Sequence, residues 1–218
     1  MKIGVMGGTF DPIHNGHLML GQAALEAFDL DKVWYMPNGN PPHKDTALSG
    51  TDVQDRVEMV RLAISSCKKF RLETYEANRN DVSYSYRTME YFKGIYPEDD
   101  FYFIIGADSL FMIDQWVHPE RLFPTCTILA AYRDEINTRE AMEEKIHELK
   151  EKYHARIRLL VTPLIRISSH ELREDVRKGR SIAGWVPDSV NQYILDRQLY
   201  ENEAFPKKQK MTRGCDVL

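Results

Sequence analysis

The chain has 218 residues, 43% of them apolar, with 29 basic against 33 acidic residues and a formal net charge of −4. That length suits one α/β domain with small additions, and the faintly acidic balance speaks against a nucleic-acid partner, which needs a basic face. No apolar run approaches the eighteen or so residues that would cross a membrane.

The chain starts directly on a strand-like run, without a basic and then apolar leader, so secretion is not expected. Cys67, Cys126 and Cys215 are odd in number and far apart. They read as reduced thiols of a cytoplasmic protein, two packed and one in a tail.

Lys2-Ile3-Gly4-Val5-Met6 reads as a buried first strand, and Leu18, Leu20, Ala24, Leu25 and Phe28 have the spacing of an amphipathic helix. Between them runs Gly7-Gly8-Thr9-Phe10-Asp11-Pro12-Ile13-His14-Asn15-Gly16-His17. A strand, a glycine turn and a helix start together suit phosphate, because backbone N–H groups converge there and the helix dipole favours an anion. His14 and His17, three apart at the helix mouth, bring two imidazoles toward one spot. Each can donate to oxygen without a fixed full charge. A shared metal is the competing use of such a pair, but no third ligand lies nearby in sequence.

Val33-Trp34-Tyr35-Met36 is a second strand, broken by Pro37-Asn38-Gly39-Asn40-Pro41-Pro42-His43-Lys44. Lys44 is the one permanent cation in that loop, which follows a strand where open α/β sheets place ligands. Asp52 is placed to cap a helix through Val53, Val57, Val60 and Ile64. Phe70–Leu72 is a short strand, and Ser83-Tyr84-Ser85 leads into a helix carrying Met89, Tyr91 and Phe92.

Phe101–Ile105 is the most apolar run and reads as a central strand covered on both faces. It ends in Gly106-Ala107-Asp108, which suits either a ribose contact or a helix cap, and Trp116 is either core or an aromatic platform. Thr127–Ala131 is the next strand; Met142, Ile146, Leu149 and Tyr153 form the buried stripe of a charged surface helix. Arg158–Val161 is the last strand. Ser168 with Glu171 three residues on is a capping-box pattern, so Ile167-Ser168-Ser169 with Arg173 one turn in makes a second anion-binding helix start. Val186–Val190 opens a final helix through Tyr193, Ile194 and Leu199, and residues 205–218 read as a loose basic tail.

The first segment resembles the signature of the nucleotidyltransferase superfamily, a His-x-Gly-His or Thr-x-Gly-His after the first strand. The fuller string through His17-Leu18 is similar to the bacterial nicotinate mononucleotide adenylyltransferases, and the resemblance spans roughly residues 1–203. It implies a Rossmann-like, doubly wound parallel α/β sheet of the nucleotidyltransferase type, with one domain over residues 1–204 and a flexible tail over 205–218. It implies that ATP is held by Gly7, Gly8, Thr9, Phe10, His14, His17, Gly106, Asp108, Ile167, Ser168, Ser169 and Arg173. His14, His17, Lys44 and Arg173 would act on the phosphates, and Lys44, Tyr84, Ser85 and Trp116 would meet nicotinate mononucleotide.

The implied reaction transfers the adenylyl group of ATP to nicotinate mononucleotide, with Mg²⁺ on the phosphates and no metal held by the protein. The product would be nicotinate adenine dinucleotide, the step before NAD. The implied partners are these small molecules, with neither nucleic acid nor membrane; homo-oligomerisation stays open. Three departures stand out: His170 and Leu172 replace the family's threonine and isoleucine, and Tyr132-Arg133-Asp134 replaces an Arg-Pro-Gly-like turn. The competing readings are a pantetheine-phosphate adenylyltransferase, a cytidylyltransferase, and a nucleotide-binding regulator without catalysis. For the two helix starts to hold one triphosphate, the first and last strands are expected to be neighbours.

Overall fold

Alternate residues of the central strands enter two different cores. Ile3, Val5, Trp34, Met36, Phe101, Phe103, Ile128 and Ala130 pack on one side. Met6, Val33, Tyr35, Ile104 and Leu129 pack on the other. This is the strand period of two played out on a sheet with no wet face, which is why the strands read as continuous apolar runs.

The computed structural model describes residues 1–40, 51–133, 138–162 and 167–201. Six parallel strands, β1 (Lys2–Gly8), β2 (Lys32–Pro37), β3 (Phe70–Leu72), β4 (Asp100–Gly106), β5 (Thr127–Arg133) and β6 (Ile157–Thr162), lie in the order β3-β2-β1-β4-β5-β6. Helices α1 (Asn15–Phe28), α2 (Val53–Ile64), α7 (Ser169–Arg177) and α8 (Asp188–Asp196) contribute to the second core. Helices α3 (Ser85–Ile95), α4 (Ala107–Met112), α5 (Pro119–Leu122) and α6 (Thr138–Tyr153) contribute to the first. This is the doubly wound Rossmann-like sheet expected of the sequence.

Local signals explain several element ends. The Asp52 carboxylate accepts from the Gln54 N–H at 2.9 Å and caps α2 as expected. α1 stops at Asp29, whose φ of 49° is left-handed. On α6 the expected stripe holds: Met142, Ile146 and Leu149 are buried. α8 ends at Asp196, short of Leu199, which packs on the second core from the following turn.

The expectation that the first and last strands are neighbours is corrected. β4 and β5 lie between β1 and β6, and the strand order reverses between β1 and β4. The two helix starts meet anyway, because α1 touches β6 as well as β1 and β2. Tyr35 sets part of that path: its hydroxyl donates to the His17 carbonyl at 3.3 Å, and a Cβ on Gly21 would stand 2.0 Å from the same hydroxyl. Residues 205–218 and Cys215 lie outside the described residues; Cys126 is buried and Cys67 half-buried, both as free thiols.

Candidate active site

The Gly7–His17 segment leaves β1 beside the end of β2, where Gly8 is in register with Pro37. Gly7 is exposed at the strand end, and Gly8 and Thr9 are half-buried. The Asn38 N–H donates to the Gly8 carbonyl at 3.0 Å. Phe10 turns the chain with a φ of 50° and buries its ring, 5.0 Å and edge-on to His17. Its side chain belongs to the core, so its backbone is what faces the loop.

His14 and His17 come together as the motif spacing predicts. Their rings stack with centroids 3.7 Å apart and planes 22° from parallel. The His14 N–H donates to Nδ1 of His17 at 3.3 Å. An accepting Nδ1 carries no proton, so the neutral His17 ring holds its proton on Nε2 as a directed donor. His14 is buried, and burial lowers its imidazole pKa to about 4, leaving it neutral near pH 7. The stacked geometry also weakens the shared-metal use, since parallel rings present faces and His17 Nδ1 is engaged. Gly16 has a steric reason to be glycine: a Cβ there would lie 3.1 Å from His14 Nδ1.

The second helix start closes on the first. Ser169 Oγ donates to the Pro12 carbonyl at 3.0 Å, and Arg173 Nη1 donates to the Asp11 carbonyl at 2.6 Å. Ile167, half-buried, has its Cβ 4.0 Å from where a Cβ on Gly16 would be. The expected capping box does not form. Ser168 occupies the cap position, but its hydroxyl makes no capping bond, and Glu171 is exposed. α7 is secured instead by the bonds of Ser169 and Arg173 to the first loop. Arg173 is therefore partly committed to that loop, with its Nε buried and unpaired among the described residues.

Beneath the loop lies a charged cluster that the sequence reading missed. Arg56 is buried on α2 and donates from Nη1 to the Thr9 carbonyl at 2.8 Å and to Asn38 Oδ1 at 3.4 Å. Its Nη2 reaches the Gly39 carbonyl at 3.5 Å. The Asp11 carboxylate is buried too: the Tyr200 hydroxyl donates to its Oδ1 at 2.6 Å, and Arg173 Nη1 lies 3.9 Å from Oδ2. Burial lowers the pKa of Arg56 and the nearby Asp11 opposes that shift; burial raises the Tyr200 phenol well above its usual value, with Asp11 adding to the rise. The available signal was periodicity. Arg56 shares the buried face of Met59, Val60 and Ala63, whereas Val53 and Val57 are only half-buried.

The residues expected at the second substrate gather on the other core. Tyr84 caps α3, Ser85 is its first residue, and the Arg87 guanidinium lies over the Tyr84 ring at 5.2 Å. Trp116 is half-buried, edge-on to Phe103 with centroids 6.4 Å apart. Tyr84 and Trp116 pack against the same cluster as Met36 and Phe103. Gly106 and Asp108 are exposed where β4 passes into α4, at the strand pair where the order reverses. Lys44 lies outside the described residues. Among the described residues no helix is long and apolar enough to cross a membrane.

With a parallel sheet of this order and a stacked histidine pair between two helix starts, the chain stands with the nucleotidyltransferases to which comparison assigns it. The chain belongs to the cytidylyltransferase-like family, whose family model matches residues 5–175. Within it the chain is similar to two curated proteins named "Probable nicotinate-nucleotide adenylyltransferase". One, from Lachnoclostridium phytofermentans, is 39% identical over 199 residues, covering 91% of this chain and 98% of the relative. The other, from Clostridium kluyveri, is 37% identical over 203 residues, covering 92% and 100%. Among solved structures, nicotinic acid mononucleotide adenylyltransferase from Plasmodium falciparum, complexed with NaAD, superposes with a TM-score of 0.75. It is 22% identical and covers 91% of this chain and 97% of that chain, a likeness of fold.

Proposed function

We propose that this chain transfers the adenylyl group of ATP to nicotinate mononucleotide, releasing pyrophosphate and forming nicotinate adenine dinucleotide. The observation that carries the reading is the stacked His14–His17 pair, with His14 held neutral by burial, where the α1 and α7 starts meet. The curated relatives named for this reaction, matched over nine-tenths of the chain, support it.

In the proposed reaction a 5′-phosphate oxygen of the mononucleotide attacks the α-phosphorus of ATP in line. The bond from that phosphorus to the bridging oxygen breaks, and its electrons leave with pyrophosphate. The nucleophile comes with the substrate, so the protein positions groups and stabilises charge. His17 Nε2–H and the neutral His14 ring donate to phosphate oxygens as charge shifts onto them. Gly7, Gly8, Thr9 and Phe10 offer backbone around the α-phosphate. Ile167 and Ser168 offer backbone just ahead of α7 and Ser169 its first N–H group, since the Ser169 hydroxyl already serves Pro12. Arg173 and Lys44 supply positive charge, Gly106 and Asp108 face the nucleotide, and the pyridine ring lies against Trp116 near Tyr84 and Ser85.

Mg²⁺ is proposed as a companion of the ATP phosphates. Among the described residues no group of three or more His, Cys, Asp or Glu side chains that could hold a metal ion is found. No step above runs through the metal.

The test is pyrophosphate release with ATP and Mg²⁺, offering nicotinate mononucleotide, nicotinamide mononucleotide and phosphopantetheine in parallel. Turnover led by the nicotinate compound is the expected result. Turnover led by phosphopantetheine, or none with any acceptor despite ATP binding, would overturn the assignment.

A further inference from the structure

Away from the phosphates, one buried acid has no role in the reaction above. Glu76 is 6% exposed, in the turn after β3. Among the described residues no cation pairs with it; burial raises its pKa, and Thr88 and Ser83 oppose the rise. The Thr88 hydroxyl, itself buried on α3, donates to Glu76 Oε1 at 2.6 Å. The Ser83 hydroxyl lies close enough to favour the charged carboxyl, yet it is buried without a hydrogen bond of ordinary geometry. A cavity of about 30 Å³ is lined by Glu76, Ser83, Tyr84, Arg87 and Thr88 among others.

What Glu76 holds is a junction between two loops. Asn40 bridges to Val82, and the Ser83 N–H donates to the Asn40 carbonyl at 2.9 Å. Gly39 is pressed against the turn that carries Glu76. A Cβ there would stand 2.4 Å from the Glu76 carbonyl oxygen and 2.9 Å from that of Arg79. The same Gly39 carbonyl is reached by Arg56, whose other nitrogen holds Thr9. Tyr84 and Ser85 directly follow the junction and begin α3, on which Thr88 sits one turn further. A desolvated carboxyl is costly unless its bonds are needed; the Thr88 bond ties the turn to the first turns of α3 beside Ser83, whose own N–H holds the loop after β2.

We propose that Glu76 is a positioning residue for the mononucleotide. Through Thr88 and the Ser83 segment it sets the wall made by Tyr84 and Ser85, so it controls mononucleotide KM without touching either substrate. This rests on the assignment of Tyr84 and Ser85 to that substrate. The phosphate end is held by bonds of Arg56, Ser169 and Arg173 to backbone carbonyls, none of them made by the Glu76 carboxyl, so ATP recognition should not follow Glu76.

The experiment compares wild type with Glu76→Ala, Glu76→Gln and Thr88→Val, measuring KM for each substrate, kcat and the melting temperature. Wild-type turnover with nicotinate mononucleotide is the separate control, and its absence overturns the function itself. Given turnover, Glu76→Ala should raise mononucleotide KM roughly tenfold or more, with ATP KM within about twofold. Glu76→Gln keeps an oxygen for the Thr88 hydroxyl and should stay within about threefold of wild type. Thr88→Val should move mononucleotide KM in the same direction, and it decides the matter where Glu76→Ala does not fold. Equal rises in both KM values, or an unmoved mononucleotide KM, would overturn the positioning role.

Discussion

His14 shows how one side chain ties stability to chemistry. Its folded pKa of about 4 lies below the ordinary histidine value of 6.5 because burial penalises the charged ring. A lowered folded pKa means the contribution is fully present above pH 6.5 and is lost as pH falls toward 4. The size is about 3 kcal/mol. Unfolding by urea at pH 7, 5.5 and 4.5 should show this decline, and His14→Asn should lack that part of it. In the proposed reaction His17 is the directed donor, and His17→Ala should lower kcat roughly a hundredfold or more while ATP affinity changes only a few-fold. A wild type without turnover, in which His17→Ala changes nothing or only equilibrium ATP binding, would instead suit a nucleotide sensor. Gly16→Ala belongs with these, since its Cβ presses on the His14 ring. Activity should fall with the melting temperature shifting by only a few degrees.

Helices hold the site through contacts that are not local. α2 presents a buried arginine whose guanidinium gathers Thr9, Asn38 and Gly39. Arg56→Ala would leave those oxygens short of a donor while Asp11 keeps Arg173 beside it, so a loss of about 1–3 kcal/mol in stability is expected from urea unfolding. The pairing of α1 with β2 is tested by Gly21→Ala, whose new methyl meets the Tyr35 hydroxyl. A destabilisation of about 1–3 kcal/mol is expected, and Gly21→Ala with Tyr35→Phe should recover part of it. Recovery would show that the hydroxyl, and not helix propensity, dictates the glycine.

Over the whole molecule, strands and their order of appearance were legible because apolar runs ending in glycine or proline have few other uses. The first motif was legible for a similar reason: glycines and two histidines at one helix mouth serve a single local geometry. Sheet order was not. Nothing in Arg158–Val161 tells that two strands separate it from β1, and the meeting of α1 with α7 depends on how α1 leans across the sheet. The capping box at Ser168 failed for the same reason, because a local pattern competed with the tertiary partners of Ser169 and Arg173.

The sequence by itself determined the parallel α/β class, the place of the glycine and histidine loop after β1, and the pairing of His14 with His17, since each follows from periodicity or from neighbours within one turn. Tertiary structure alone decided that Arg56, Asp11 and Tyr200 lie together beneath that loop, though they are separated by up to 189 residues of chain. It also decided that Glu76 stands behind Tyr84. Burial of charge is set by what folds over it, and that information is spread across elements that no local window contains.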